Sequence, residues 1–175
     1  HSAILKECDT YWNDLLDMGC GIGSFTHYLG KHYSKLISPK FSRFIGVDIS
    51  EWAIQYAKDF ASDMEEYYVG DVDHLPFLDQ SFSIVVMNEI LEHTPDPKVT
   101  LREANRVLNA TGILVITTPH DGRLGDSTEH YSTFGHNNLF HLLMNPGFQR
   151  VTFYPNVSWF VNDPFLTSIL AVARK

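Results

Sequence analysis

Short runs of Ile, Val, Leu and Phe alternate with longer amphipathic stretches along the sequence, and this alternation constrains the fold more than any other feature. Short apolar runs bounded by turn residues are typical of buried strands. The stretches between them carry apolar residues at three- and four-residue spacing, as helices that cover a sheet do. Strands and helices that alternate in this way build a mostly parallel sheet with helices on its faces. The sequence therefore predicts an α/β fold.

The predicted elements follow the order βαβαβ and then βαβαββ. We expect strands at Asp14 to Met18, Arg43 to Asp48, Tyr67 to Val69, Ser83 to Asn88, Gly112 to Thr118, Phe148 to Tyr154 and Leu166 to Ala173. We expect helices at Phe25 to Leu36, Glu51 to Asp63, Lys98 to Leu108 and Asn137 to Leu143. Ser50 before Glu51 predicts a helix start, and the segment from Asn109 to Gly112 predicts a helix stop.

The length of 175 residues and the hydrophobic content of 44% allow one compact core and exclude two full domains. We therefore expect residues 1–175 to form a single ligand-binding domain. The first predicted strand begins almost at the N-terminus of the sequence. A helix that would precede this strand is expected to be very short or missing.

The composition also bears on partners and on location. A net charge of -8, with 13 scattered Lys and Arg residues, makes nucleic acid a disfavoured substrate. The apolar runs are too short to span a bilayer, so no membrane span is predicted. Cys8 and Cys20 lack the CxxC spacing and no signal peptide is recognisable, which favours a reducing, cytoplasmic setting.

A glycine-rich turn follows the first predicted strand, in Leu15-Leu-Asp-Met-Gly-Cys-Gly-Ile-Gly23. Glycine suits a turn that must be tight and must admit a ligand without a Cβ in the way. Ser24 stands where a dinucleotide-binding fingerprint has its last glycine, which departs from the pyrophosphate pattern. Asp17 disfavours a pyrophosphate and attracts the ammonium and sulfonium charges of a methionine-derived ligand. The turn favours S-adenosylmethionine over NAD, and the alternative is a tight turn without a ligand. The predicted cofactor contacts here are Asp17, Gly19, Cys20, Gly21 and Gly23.

An acidic residue, Asp48, ends the second predicted strand, 25 residues beyond Gly23. A carboxylate at such a strand end accepts hydrogen bonds from both hydroxyls of a ribose. Asp48 is therefore the predicted ribose ligand, and Ile49 is positioned to pack on an adenine. The alternative role for Asp48 is to cap the helix that starts at Glu51.

The residues resemble class I S-adenosylmethionine-dependent methyltransferases, especially the small-molecule group with the ubiquinone-pathway O-methyltransferases and menaquinone-pathway C-methyltransferases. Matching segments occur in the right order across nearly the whole chain. They are the glycine turn through Gly23, the strand end at Asp48, Gly70-Asp-Val-Asp-His-Leu-Pro-Phe77, Asp79 to His93, and Leu108 to Pro119.

The resemblance implies a Rossmann-like, doubly wound, seven-stranded sheet in the order 3-2-1-4-5-7-6 with the last strand antiparallel. It places the ligand at the carboxyl ends of the first, second and fourth strands. It further implies that Asp71, with Val72 beside it, contacts the adenine, Asp71 by accepting from the amino group. Asn88 and Glu89 would border the methionine moiety. Ser83 departs from the acidic residue that is common in the family, and we expect the strand to tolerate it.

Candidate acid-base residues follow the fourth and fifth predicted strands. Methyl transfer from a sulfonium is an in-line displacement, so much of its catalysis comes from aligning the acceptor with the methyl group. A hydroxyl acceptor also has a proton to lose, which a histidine or a carboxylate can remove. We predict His93 as the base and His130, in the loop after the fifth strand, as the second catalytic residue.

Glu89, Glu92 and His93 form an E-x-x-E-H cluster, to which a later loop adds His120 and His130. Two carboxylates and two imidazoles can bind a divalent cation that lowers the pKa of an acceptor hydroxyl. The cluster resembles that of small-RNA 2'-O-methyltransferases and some ubiquinone-pathway O-methyltransferases, which implies Glu89, Glu92, His93 and His130 as ligands. Because E-x-x-E-H also occurs in relatives without an inferred metal, the predicted site contains no metal and the cation stays an alternative.

Several aromatic residues near the same loops have two interpretations. They either line a pocket for an aromatic acceptor or pack as core and lid residues. They are Tyr131, Phe134, Trp159 and Phe160.

The sequence thus predicts an enzyme that transfers the methyl group of S-adenosylmethionine to a small organic acceptor, at a hydroxyl, an amine or a carbon. The alternatives are a metal-assisted RNA 2'-O-methyltransferase and a non-catalytic S-adenosylmethionine-binding protein. An NAD-dependent oxidoreductase is the weakest rival, because Ser24 and Asp17 oppose it. The identity of the acceptor and the oligomeric state are left open.

Overall fold

The computed structural model describes residues 14–33, 43–120, 130–157 and 168–175. Within these ranges the chain forms seven strands and four α-helices. The strands are β1 (Asp14–Met18), β2 (Arg43–Asp48), β3 (Glu65–Val69), β4 (Phe82–Asn88), β5 (Leu108–Pro119), β6 (Arg150–Val157) and β7 (Ser168–Arg174). The helices are α1 (Ser24–Tyr33), α2 (Glu51–Asp59), α3 (Pro97–Val107) and α4 (His136–Met144), with a short 3-10 turn at Leu91–His93.

All seven strands form one sheet in the order β3-β2-β1-β4-β5-β7-β6. The pairs from β3 to β5 are parallel, and β7 is antiparallel to both β5 and β6. The predicted fold, with its strand order and its antiparallel last strand, is confirmed. The order of the strands reverses between β1 and β4, and a crevice opens at the carboxyl ends of strands at such a switch point.

The central strand β4 shows why the sheet is buried on both faces. Its run Phe-Ser-Ile-Val-Val-Met-Asn is apolar at nearly every position, as expected of a strand covered on both sides. Val85 and Met87 belong to the same core cluster as the buried residues of α3 and α4, whereas Ile84 and Val86 belong to the cluster on the opposite face. Ser83 is buried and accepts a hydrogen bond from Asn109 Nδ2 at 3.2 Å, so the strand does tolerate it.

Local signals set the helix starts, and tertiary contacts shift several of the other boundaries. Ser50 caps α2 by accepting from the backbone N–H of Ala53 at 3.2 Å, as the sequence predicts. The helix nevertheless ends at Asp59 rather than Asp63, because Phe60 leaves the helical region. The helix before Asn109 does end near the predicted stop, since α3 ends at Val107, but the predicted strand start at Gly112 is wrong. β5 already begins at Leu108, which pairs with Phe82 across an irregularity in the ladder.

Among the described residues, no helix combines the length and the apolar character that crossing a membrane requires.

Candidate functional site

A cleft of about 220 Å³ lies at the carboxyl edge of the sheet, beside the switch point. The residues that line it follow β1, β2, β3 and β4, so four separate strand ends contribute to one site. They are Gly19, Asp48, Ile49, Asp71, Val72, Asp73, Ile90, His93, Thr94 and Pro95.

The glycine turn packs tightly between β2 and the segment after β4. The backbone N–H groups of Gly19 and Cys20 both donate to the carbonyl oxygen of Val47, at 2.8 and 3.0 Å. Gly19 has a φ of 75°, and a Cβ there would collide with the side chain of Ile90. Gly21 has a φ of 53°, but among the described residues nothing lies within 4 Å of where its Cβ would stand. Gly19 is thus required by close packing, whereas Gly21 leaves open space beside the turn.

Asp48 is held in place by the backbone on both sides. Its Oδ2 accepts from the N–H of Gly21 at 2.8 Å, and its Oδ1 accepts from the N–H of Ser50 at 2.8 Å. A carboxylate offers about four acceptor positions, so each oxygen keeps a free lone pair. The side chain is half-buried at the cleft and is oriented to accept two further hydrogen bonds.

Asp17 lies at the end of β1 and is buried, with a relative exposure of 1%. Thr26 Oγ1 donates to its Oδ2 at 2.7 Å, while no described residue donates to its Oδ1. Burial raises the pKa of Asp17 to about 7, against the hydrogen bond from Thr26 that lowers it, and the charge of Asp48 raises it further. A buried carboxylate with an unused acceptor is matched by a cationic ligand that approaches it.

The loop after β3 supplies the third wall of the cleft. Asp71 accepts from the N–H of Asp73 at 2.9 Å, and about half of its side chain stays exposed. Val72 lies between these two residues and also lines the cleft. The structure therefore brings the predicted adenine-side residues Ile49, Asp71 and Val72 to one place.

Other predicted cofactor residues lie close to the cleft without lining it. Gly23 is buried against Tyr67, and burial raises the pKa of the half-buried Cys20 thiol. Asn88 accepts a hydrogen bond from Thr117 Oγ1 at 2.7 Å. The predicted residues outside the lining are Asp17, Cys20, Gly21, Gly23, Asn88, Glu89 and His130.

Glu89 has an unusual backbone for a residue with a side chain. Its φ is 53°, in the left-handed region, and its N–H donates to the carbonyl oxygen of Thr117 at 3.0 Å. Burial, and next to it the charge of Glu92, raise the pKa of Glu89. No described residue hydrogen-bonds its buried Oε1. Strained backbone of this kind is concentrated at functional sites in proteins.

Glu92, His93 and His130 form a compact group beside the cleft. One ligand atom from each lies within 4.8 Å of the others. The rings of His93 and His130 pack edge to face with centroids 4.8 Å apart, and Tyr131 N–H donates to the carbonyl of Glu92 at 2.8 Å. This last contact ties the segment that contains His130 to the 3-10 turn.

The electrostatics of this group are those of a partly enclosed acid-base site. Glu92 is 1% exposed, and burial raises its pKa although His93 and the hydrogen bond from Thr118 lower it. Nδ1 of His130 is buried, and no described residue hydrogen-bonds it. One carboxylate and two imidazoles form a donor set that zinc and other divalent transition metals accept. The fourth predicted ligand, Glu89, is outside the three residues whose ligand atoms come together.

The remaining histidines and aromatic residues have simpler surroundings. His120 packs against His136 with ring centroids 5.3 Å apart, and Phe134 is part of the buried core. Tyr131 is largely exposed. Trp159 and Phe160 lie outside the described residues.

The sequence prediction missed four of the residues that line the cleft. It also missed the residue that donates a hydrogen bond to Asp17. Asp73, Ile90, Thr94 and Pro95 follow strand ends, and the rule that ligands bind beyond the carboxyl ends of strands points to them. Thr26 lies on α1, and nothing in its sequence context marks it as the partner of Asp17.

Comparison with known proteins assigns the chain to a family. A family model described as a methyltransferase domain matches residues 16–116. Demethylmenaquinone methyltransferase of Staphylococcus aureus is 37% identical over 102 residues, which are 57% of this chain and 40% of that protein. The chain therefore spans less than half the length of the curated relatives it matches.

Solved structures show the same fold at low sequence identity. A putative methyltransferase from Bacillus halodurans has a TM-score of 0.75 at 18% identity, over 99% of this chain and 97% of that one. An S-adenosylmethionine-dependent methyltransferase from Methanosarcina mazei has a TM-score of 0.73 at 19% identity, over 100% of this chain and 97% of that one. At these identities the likeness establishes the fold alone.

Proposed function

The chain belongs to the methyltransferase-domain family, and we propose that it transfers the methyl group of S-adenosylmethionine to a small organic acceptor. The observation that carries this proposal is the pairing of two carboxylates around the glycine turn. Asp48 is oriented by two backbone N–H groups at the cleft, and Asp17 is buried beside the turn with an unused acceptor.

The residues fit S-adenosylmethionine at each of its parts. Asp48 has lone pairs left for both ribose hydroxyls, and the ammonium and sulfonium charges of the ligand suit the unused oxygen of Asp17. The open space beside Gly21 lets a ligand approach the backbone. In our assignment Ile49, Asp71 and Val72 contact the adenine, while Asn88 and Glu89 border the methionine end. Gly19, Cys20, Gly21 and Gly23 form the turn between them.

The reaction requires the protein to align the acceptor with the methyl group and to remove one proton from the acceptor. S-adenosylmethionine supplies an electrophilic methyl group, and the acceptor is to be held in line with it. His93 lines the cleft and is the proposed base that takes the proton of a hydroxyl acceptor. His93 lies close enough to Glu92 to lower the pKa of that carboxyl, against the burial that raises it, and His130 packs against the ring of His93.

A small organic acceptor is supported by two observations. The net charge of -8 opposes the approach of a nucleic acid. The relatives from Staphylococcus aureus are named for demethylmenaquinone, which is therefore the first acceptor to test. We also propose a cytoplasmic location, supported by a content of only two cysteines, Cys8 and Cys20, which is too low for a disulfide framework.

The experiment is a transfer assay with labelled S-adenosylmethionine and an acceptor panel of demethylmenaquinone, a catechol and a small amine. We expect methyl transfer to at least one of them. His93→Ala is expected to reduce turnover of a hydroxyl acceptor by about 100-fold or more, with unchanged affinity for S-adenosylhomocysteine. His141→Ala, an exposed histidine on α4, is the matched control and should leave turnover unchanged.

The possible outcomes separate the competing proposals. Equal turnover in His93→Ala would remove His93 as the base. Binding of S-adenosylhomocysteine without turnover on any acceptor would favour the non-catalytic alternative. Failure to bind it at all would contradict the proposed function.

A metal-assisted reaction is the second candidate, because Glu92, His93 and His130 bring three ligand atoms within 4.8 Å of one another. Tetrahedral metal–ligand bonds of about 2.0 to 2.2 Å place the ligand atoms about 3.3 to 3.6 Å apart, so donors separated by up to 4.8 Å have to close by about 1 Å. A chelator should then abolish transfer, and Mn²⁺ or Zn²⁺ should restore it in the wild type but not in Glu92→Gln. Undiminished activity in the chelator would exclude this route.

A further inference from the structure

A network of charged contacts ties helix α3 to the loop of residues 70–81, which connects β3 to β4 and carries Asp71, Val72 and Asp73 of the cleft wall. We propose that Arg106 and Glu103 are positioning residues that hold this loop in the one conformation in which the cleft selects adenine. The proposal rests on the proposed function, since the cleft must bind an adenosyl ligand for the selection to matter.

Arg106 uses its whole guanidinium group in this network. Nε donates to Glu103 Oε2 at 2.8 Å, and Nη2 donates to Glu103 Oε1 at 2.7 Å. Nη2 also donates to the carbonyl of Leu75 at 3.2 Å, while Nη1 donates to the carbonyl of Phe77 at 2.8 Å and to Asp79 Oδ1 at 2.7 Å. Five donors meet acceptors on both α3 and the loop. Lysine has the charge but lacks the planar fork, so it cannot reproduce this set.

Further hydrogen bonds from α3 hold the loop along its length. Glu103 Oε1 accepts from the N–H of Leu75 at 2.7 Å, and Arg106 keeps the pKa of Glu103 below its usual range. Thr100 Oγ1 donates to Asp73 Oδ1 at 2.5 Å, and Gln80 N–H donates to the carbonyl of Arg106 at 3.0 Å. The loop is thus held at Asp73, Leu75 and three later positions, all from one helix.

These contacts determine the position of the cleft wall because residues 70–81 form no helix or strand. Gly70 N–H donates to the carbonyl of Asp48 at 3.0 Å, which fixes only the start of the loop. Asp71 stands next to that point and its Oδ1 accepts from the N–H of Asp73 at 2.9 Å, so its direction depends on how the following residues are held. A single hydrogen bond discriminates between ligands only when its acceptor is placed to within about 0.5 Å. Contacts from α3 therefore control the acceptor that is assigned to the adenine amino group.

The test compares two ligands that differ at the edge of the base that carries the amino group. S-adenosylhomocysteine has the amino group and an unprotonated N1, whereas S-inosylhomocysteine has a carbonyl oxygen in place of the amino group and a proton on N1, so its position 6 cannot donate to Asp71. Both are titrated calorimetrically into the wild type and into Arg106→Lys. We expect the wild type to prefer the adenosyl ligand. In Arg106→Lys the affinity for the adenosyl ligand should fall about tenfold while that for the inosyl ligand changes little, so that the preference is lost.

Two variants make the comparison specific. Arg102→Lys changes an exposed arginine on the same helix that has no ion pair among the described residues, and it should keep the preference of the wild type. Asp79→Asn removes the charge of one loop-side partner of Arg106, on a side chain that is 74% exposed, so it should fold even where Arg106→Lys does not. Its preference should fall in the same direction by about threefold.

Each outcome supports or overturns the proposal. If Arg106 had a merely structural role, the affinities for both ligands would fall equally, and this result would overturn the proposal. An unchanged preference in Arg106→Lys would overturn it too. If Arg106→Lys does not fold, an unchanged preference in Asp79→Asn has the same meaning. A wild type that binds both ligands equally would show that the loop does not read the amino group. A wild type that binds neither would instead contradict the proposed function itself.

Discussion

Asp17 and Asp48 illustrate at the scale of single residues how position determines the behaviour of the same side chain. Asp48 is half-buried at the cleft and accepts from two backbone N–H groups, which fix the direction of its carboxylate. Asp17 is buried and receives one hydroxyl, so burial dominates and raises its pKa to about 7. The first carboxylate is suited to permanent hydrogen bonds, and the second responds to the charge of a ligand.

The ionisation of Asp17 predicts that cofactor binding depends on pH. A ligand with an ammonium group binds the ionised carboxylate better, so the affinity for S-adenosylhomocysteine should rise about tenfold between pH 6 and pH 8. Binding at pH 6 should also release close to one proton. Calorimetry in buffers of different ionisation enthalpy measures both quantities.

Asp17→Asn is the control for this dependence, because it keeps the shape of the side chain and cannot ionise. Its affinity should be flat over the same range, and a wild type that is equally flat would exclude Asp17 as the charge partner. The folded state binds more protons than the unfolded state between the ordinary pKa of 3.8 and about 7. The free energy of unfolding of the wild type should therefore fall, relative to that of Asp17→Asn, as the pH rises through this window.

Asp48→Ala tests the assignment of the ribose ligand. Loss of charged hydrogen bonds to a ribose should weaken the binding of S-adenosylhomocysteine by about 1.5 to 3 kcal/mol. Asp59→Ala, an exposed aspartate at the end of α2, should leave the affinity unchanged. Unaltered binding in Asp48→Ala would remove this residue from the proposed site.

At the scale of elements, the sequence predicted best where burial and turn residues coincide. The bounds of β1 and β2 are as predicted, because each is a buried run closed by a glycine turn or a helix cap. The start of β5 was wrong, since Asn-Ala-Thr-Gly has the composition of a turn and only the pairing of Leu108 with Phe82 extends the strand. At this segment the pairing of strands in the folded sheet overrides the turn preference of the local sequence.

The turn between β1 and α1 makes a prediction that separates stability from binding. Gly21→Ala places a side chain at a φ of 53°, so it should lower the free energy of unfolding by about 1 to 2 kcal/mol. Its methyl group would also occupy the open space beside the turn and keep the cofactor from the backbone there, so the affinity for S-adenosylhomocysteine should fall as well. Gly147 also has a positive φ, 105°, with nothing within 4 Å among the described residues, and it lies in the turn after α4. Gly147→Ala should lose stability without losing affinity. Denaturant unfolding and calorimetry measure the two effects, and equal affinities in both variants would exclude Gly21 from the ligand site.

At the scale of the whole molecule, the alternation of elements predicted the α/β class, whereas the strand order came from the resemblance to methyltransferases. Periodicity reports which face of an element is buried but not which elements become neighbours. The strand-end rule predicted Asp48 and Ile49 as ligand contacts, the resemblance added Asp71, and the structure brings all three to one cleft. It could not predict the donor to Asp17 or the contacts of Arg106, because Thr26, Leu75 and Asp79 reach their partners only after the chain has folded.

The most direct test of the central claim is a calorimetric titration of the purified chain with S-adenosylhomocysteine and, separately, with NADH. Asp17 beside the glycine turn opposes a pyrophosphate, and Asp48 and Asp17 together suit an adenosyl amino acid. The account predicts saturable binding of S-adenosylhomocysteine with one site per chain and no binding of NADH. Binding of NADH, or no binding of S-adenosylhomocysteine, would contradict it.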